Sequence, residues 1–145
     1  GRLTSSENLH LTLKFLGEIE EDAINDVKKR LPSITHPPFE LILKDVGVFS
    51  QKFIKIIWVK VSDVPLQPLV DNCLKDIFEL ENRFMGHITI ARVRSLADKK
   101  SFLQLINVTT VNEVSFMVKD FYLKESILAS DGPIYKDIVR YKLSS

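Results

Sequence analysis

At 145 residues, with 45% hydrophobic and 27% charged side chains, the chain is long enough for one domain with a real core and too apolar for intrinsic disorder. Lys plus Arg number 20 and Asp plus Glu 19, so a net charge of +1 excludes the general electrostatic grip on nucleic acid of a histone-like protein. Any phosphate recognition must therefore be local. No apolar run reaches bilayer length, GRLTSSEN holds no signal-peptide core, and the one cysteine, Cys73, cannot form an internal disulfide; these features predict a cytoplasmic protein without membrane contact.

From Leu9 to Phe15 apolar and polar residues alternate: Leu9, Leu11, Leu13 and Phe15 point one way, His10, Thr12 and Lys14 the other. That is a half-buried strand. In EIEEDAINDVKKRLPSI, Ala23, Ile24, Val27, Leu31 and Ile34 fall at helical spacing behind an acidic first turn, and Pro32 ends the helix. HPPFE is a loop. FELILKDVGVF and IKIIWVKV read as two strands joined by Ser50 to Phe53 in a hairpin, with Trp58 in the core. A second helix is expected over Pro65 to Phe78, with Leu66, Leu69, Val70, Cys73, Leu74 and Ile77 on its buried stripe. ELENRFMG leads to a second alternating strand, where Ile88 and Ile90 face the core and His87 and Thr89 the opposite side. A third helix over Asp98 to Ile106 and the long β-prone stretches NEVSFMVKDFYLKESIL and PIYKDIVRYKL, split by the turn residues Ser130 to Gly132, close the chain. Helices alternate with antiparallel strands without a βαβ rhythm, so an α+β layered fold is predicted over a doubly wound parallel sheet.

His-x-Thr thus occurs twice, at His10 and Thr12 and at His87 and Thr89, more than half the chain apart. No helical periodicity produces such an echo. Period-two geometry puts each histidine and its threonine on one face. Two such strands facing each other would offer two imidazoles and two hydroxyls to one cleft. Imidazole works as acid or base near neutrality. One ring can take a proton from an attacking water or hydroxyl while the other gives one to the departing oxygen, on opposite sides of a phosphate. Threonine hydroxyls suit the non-bridging oxygens, where negative charge grows. A lone strand histidine reads as a surface or structural residue, and a lone threonine as β-propensity; the duplication, using two of only three histidines, favours chemistry. The third, His36, sits before Pro37 and Pro38 in a loop and reads as solvated and idle. No metal-ligand spacing and no glycine-rich phosphate loop is visible, so the expected chemistry needs no metal and no cofactor.

HLTLKFLG and HITIAR resemble the paired signatures of the two-histidine phosphoesterase superfamily, in particular the RNA 2',3'-cyclic phosphodiesterases, also called 2'-5' RNA ligases. The likeness extends to ENLHLTLKFLGEI, Gly47 to Phe49, IIWVKV, FYLKESIL and GPIYKDIVRYKL, and so covers nearly the whole chain. It implies one bilobal α+β domain over residues 1–145, with two pseudo-symmetric lobes of antiparallel sheet and outer helices around a central cleft, each half presenting one motif. It implies His10 as proton donor to the leaving oxygen, His87 as the base that activates water, and Thr12 and Thr89 on the phosphate. Arg92 matches the arginine that follows the family's second motif and is expected to contact phosphate. The implied reaction opens a terminal 2',3'-cyclic phosphate of RNA to a 2'-phosphomonoester, with 2'-5' joining as its reverse. The implied partners are RNA termini, tRNA halves and nucleotides, met by a monomer.

The sequence departs from that pattern in three places. The family's opening strand and helix before the first motif are expected to be lacking, Gly86 stands where proline is common, and Arg92 has the opposite parity to His87 on an ideal strand, so it reaches the cleft only where the strand ends or bulges. Lys14 reads as a phosphate contact or an exposed lysine, and Phe84 as a core plug or a base-stacking ring. The rival to an enzyme is a nucleotide or RNA-end binding module with the same cleft and no turnover.

Overall fold

The computed structural model of the protein describes residues 2–3, 10–48, 56–92, 114–130 and 132–144. Its strands are β1 (Arg2–Leu3), β2 (Phe39–Val48), β3 (Ile56–Val61), β4 (His87–Arg92), β5 (Ser115–Val118), β6 (Asp120–Ala129) and β7 (Gly132–Lys142), with helices α1 (Glu21–Arg30) and α2 (Leu66–Cys73) between them. The class is α+β. The expected Ser50 to Phe53 turn, the helix over Asp98 to Ile106 and part of the Ser130 to Gly132 turn lie outside the described residues. Two sheets form, one of five strands in the order β1-β4-β3-β2-β5 and one of two, β6-β7. The chain divides into two compact units, Gly1–Thr12 with Leu41–Val64 and Met85–Phe116, and Leu13–Glu40 with Pro65–Phe84 and Met117–Ser145.

In the first unit, β3 pairs antiparallel with β2 and β4. The β-branched run IIWVKV suits a strand packed on both edges. Val59 and Val61 are buried with Leu41 and Val64, which sets the apolar face. Trp58 lies on the other face, opposite Gly47 in register. A Cβ at Gly47 would come within 2.6 Å of the Trp58 ring, so glycine is what lets the indole cross β2. The expectation that Trp58 belongs to the core is therefore corrected: it is half-buried, on the face opposite Val59 and Val61.

In the second unit, Val27 and Leu31 of the first helical segment are buried, as their spacing requires. The helix tightens into a 3-10 turn at Leu31–Ser33, where Pro32 sits and the Ser33 hydroxyl donates to the Arg30 carbonyl at 2.7 Å. Helix α2 ends at Cys73, earlier than expected, because Asp71, Asn72 and Cys73 are all weak helix formers and the chain continues as turns. Its buried face is also rotated: Leu66, Gln67, Val70 and Asp71 are buried while Leu69 is exposed.

Lys14 explains that rotation. Its ammonium lies 2.5 Å from Asp71 Oδ1 and donates to the Glu79 carbonyl at 2.6 Å, and the two side chains are only 3% and 9% exposed. The other Asp71 oxygen accepts the Glu81 backbone N–H at 2.8 Å. The strand expected over Leu9 to Phe15 is accordingly not continuous: its described part makes one bridge, at Leu11, bends at Leu13, and then inverts the predicted faces, with Lys14 buried and Phe15 exposed. Lys14 is neither an exposed lysine nor a phosphate contact.

His36 is half-buried and makes structural contacts. It bridges to Ser144, donates from Nδ1 to the Pro37 carbonyl and meets Phe39 edge to face at 5.5 Å. The Cys73 thiol donates to the Arg30 carbonyl at 3.3 Å. Phe84 is half-buried. The long closing stretch divides at Lys119, whose carbonyl accepts the Leu143 N–H at 2.8 Å, and β6 then runs against β7 around Phe121, Leu123 and Tyr141.

Burial lifts the Asp71 carboxyl, but the Lys14 hydrogen bond, the Glu81 N–H and the Lys14 charge outweigh it and hold the group below the ordinary carboxylate range. A lowered folded-state pKa gives stability that is present above the unfolded value of about 3.9 and is lost as pH falls through the folded one. Asp71→Asn, which strands the lysine, is expected to cost about 3 kcal/mol at pH 7 in urea denaturation. The gap to the unmodified protein should shrink toward pH 3; a pH-independent gap would refute the ion-pair account.

Candidate active site

The two His-x-Thr stretches meet. Leu11 forms an antiparallel bridge with Ile88 of β4, within the first unit. Carried one residue either way, that register sets His10 against Thr89 and Thr12 against His87, all four on one face. In such a pair directly opposed Cβ atoms lie about 4.5–5.5 Å apart, and diagonal residues, here His10 and His87, about 7–8 Å, with their Cβ atoms somewhat closer. Both motifs belong to the first compact unit. His10, His87 and Thr89 are half-buried and Thr12 is exposed, so all four are open to solvent to some degree.

An antiparallel pair has a local two-fold axis. Centred on the Leu11 and Ile88 pair, it maps His10 onto His87 and Thr12 onto Thr89. The face continues onto β3, where Trp58 is in register with Thr89 and Lys60 with His87. Rows of three therefore cross the strands: Thr12, His87, Lys60 and His10, Thr89, Trp58. The Trp58 and His87 rings are 6.3 Å apart and tilted by 57°. The His87 Nδ1–H donates to the Met85 carbonyl at 3.0 Å. A carbonyl only accepts, so the neutral ring carries its hydrogen on Nδ1 and its lone pair on Nε2.

Sequence parity had set Arg92 against His87. The register between β3 and β4 shifts between Trp58 and Ile57, which pair with Thr89 and Ala91, leaving Ile90 as an extra residue of β4. Position 92 pairs with Ile56, two residues from Trp58, so the bulge removes the parity objection at the backbone. The Arg92 side chain lies outside the described atoms. Sequence reading missed Trp58 and Lys60 as neighbours of the motif; their shared parity in IIWVKV was the available signal.

Among the described residues no group of three His, Cys, Asp or Glu side chains could hold a metal ion, and no helix is long and apolar enough to cross a membrane.

A family model described as LigT-like phosphoesterase matches residues 1–58. An RNA 2',3'-cyclic phosphodiesterase of Archaeoglobus fulgidus is 34% identical over 139 residues, 91% of this chain and 78% of that protein. The chain belongs to the LigT-like phosphoesterase family. A crystal structure of a Thermus thermophilus protein superposes with a TM-score of 0.81 at 23% identity, covering 98% of this chain and 81% of that one, a likeness of fold. Escherichia coli LigT in complex with 3'-AMP superposes with a TM-score of 0.72 at 25% identity, covering 100% and 81%.

In this LigT-like phosphoesterase Gly86 is buried and closely packed just before His87. Its carbonyl accepts the Val61 N–H at 3.0 Å, and a Cβ there would stand 2.8 Å from Val61 Cγ2 and 3.0 Å from Val64 Cγ2. The glycine lets β4 enter the sheet against a buried valine layer. Gly86→Ala is expected to lower stability by about 1–3 kcal/mol in chemical denaturation. An unchanged midpoint would show that the valines yield.

Proposed function

We propose that this protein hydrolyses the 2',3'-cyclic phosphate ends of RNA to 2'-phosphomonoesters, with His10, Thr12, His87 and Thr89 as the catalytic residues. The observation that carries the reading is the Leu11 to Ile88 bridge, which sets the two motifs about a dyad with the imidazoles diagonal to one another. Support for the substrate class comes from relatives named as RNA 2',3'-cyclic phosphodiesterases.

In this reading His87 takes a proton on Nε2 from water, whose oxygen attacks phosphorus in line with the 3'-oxygen. The bond from phosphorus to that oxygen breaks, and His10, protonated, donates to it, so the phosphate stays on the 2'-oxygen. Thr12 and Thr89 donate hydrogen bonds to the non-bridging oxygens. Arg92, at a position that the bulge brings into parity with Trp58, contacts the same phosphate. With the 5'-hydroxyl of a second RNA in place of water, the same groups would form a 2'-5' bond, the tRNA-half joining that the family resemblance implies.

An oligoribonucleotide ending in a 2',3'-cyclic phosphate, incubated with the protein and a chelator, is expected to give the 2'-phosphate end. His10→Ala and His87→Ala should each lower kcat about 10²–10⁴-fold, and Thr12→Ala or Thr89→Ala about a hundredfold. Calorimetric binding of a nucleoside monophosphate with a persistent cyclic end would instead support the binding-module alternative and overturn the enzyme.

A further inference from the structure

The dyad makes the two motifs equivalent, but an RNA end is not symmetric. A substrate must be told from which side its chain enters, and only residues outside the dyad can do that. On the His87 side the face runs on to Lys60, which is directly in register with His87 and exposed. Its ammonium makes no ion pair or side-chain hydrogen bond with the described residues, in contrast to Lys14, which Asp71 and the Glu79 carbonyl hold. The next residue of that face, Trp58, is half-buried against Gly47 and closes the other row.

Strands lie about 4.8 Å apart, so Lys60 stands one strand spacing beyond His87 and two beyond Thr12. The phosphoryl group between the diagonal imidazoles sits on the far side of His87 from this lysine. A flexible four-carbon stem ending in a compact charge suits a phosphate as a point contact. The next anion that an RNA chain brings to this face is the phosphodiester that links the terminal nucleotide to its neighbour.

We propose that Lys60 binds this adjacent phosphodiester, so that the protein prefers an oligoribonucleotide end to a cyclic mononucleotide. The assignment rests on the proposed reading of the His10 and His87 site. It makes Lys60 a specificity residue outside the reacting group.

The test compares the full chain with Lys60→Ala and Lys60→Arg on two substrates, an oligoribonucleotide ending in a 2',3'-cyclic phosphate and 2',3'-cyclic AMP. Lys60→Ala is expected to raise KM for the oligonucleotide about tenfold with kcat within twofold, to leave both constants for the mononucleotide unchanged, and to be rescued by Lys60→Arg. Equal effects on both substrates would place the lysine on the cyclic phosphate and overturn the proposal. So would no effect on either. Binding of the product oligonucleotide, which carries a 2'-phosphate, supplies an arm independent of turnover. There the slope of log Kd against log salt should fall by about 0.7 in Lys60→Ala, the loss of one single-strand phosphate contact. Absence of turnover by the unmodified protein sinks the hydrolytic reading alone, whereas an unchanged salt slope, or no preference for the oligonucleotide over 2'-AMP, sinks the assignment of Lys60.

Discussion

One antiparallel bridge, between Leu11 and Ile88, organises the candidate site. Pairing two strands head to tail creates a two-fold axis whether or not the sequences match. When each strand carries His-x-Thr with an apolar centre, and the centres pair, that axis superposes one motif on the other. The apolar centres point away from the histidines, and Gly86 is packed closely enough against Val61 and Val64 to exclude a side chain. The repetition in sequence is thus what a symmetric pair of strands needs in order to set two like rings diagonally across a gap. A shift of one residue in that register would send one motif to the buried face, so the bridge and the valine layer constrain each other.

The lysine that follows the first motif shows how the same polypeptide switches from site to scaffold. On an ideal strand Lys14 would extend the row of His10 and Thr12. The chain bends at Leu13, and the ammonium is held by the carboxylate of Asp71 and the carbonyl of Glu79. Neutralising that buried carboxylate leaves a buried cation, a cost of several kcal/mol, which explains why α2 turns a polar residue inward at Asp71 at the expense of Leu69. A positive charge that alternation assigns to a substrate is therefore consumed within the fold.

What the sequence made legible follows from local rules. Period-two alternation located both motifs and β3, the helical spacing of Val27 and Leu31 located α1, and the absence of a βαβ rhythm gave the α+β class. What stayed hidden depends on partners far along the chain. Lys14 was ambiguous because Asp71 is 57 residues away. Trp58 was assigned to the core because an apolar strand gives no sign of which face is covered until Gly47 is seen opposite it. Arg92 carried the wrong parity because the extra residue at Ile90 is a property of pairing with β3 rather than of the motif itself. The bridge made by His36 was hidden because its partner, Ser144, lies far along the chain.

A symmetric pair of histidines also poses a chemical difficulty, since the proposed in-line displacement needs one ring protonated and the other neutral at the same moment. Strand pairing alone cannot distinguish them. The surroundings can. His87 enters β4 directly after Met85 and Gly86, and its Nδ1–H on the Met85 carbonyl fixes the tautomer whose lone pair is at Nε2. That contact is made two residues upstream on the same chain, so the entry of β4 into the sheet orients the ring as it places it. On its other side His87 meets Trp58 at 6.3 Å and has Lys60 in register, both on β3. The proposed division of roles within a duplicated motif therefore rests on a contact, His87 with the Met85 carbonyl, that lies outside the motif.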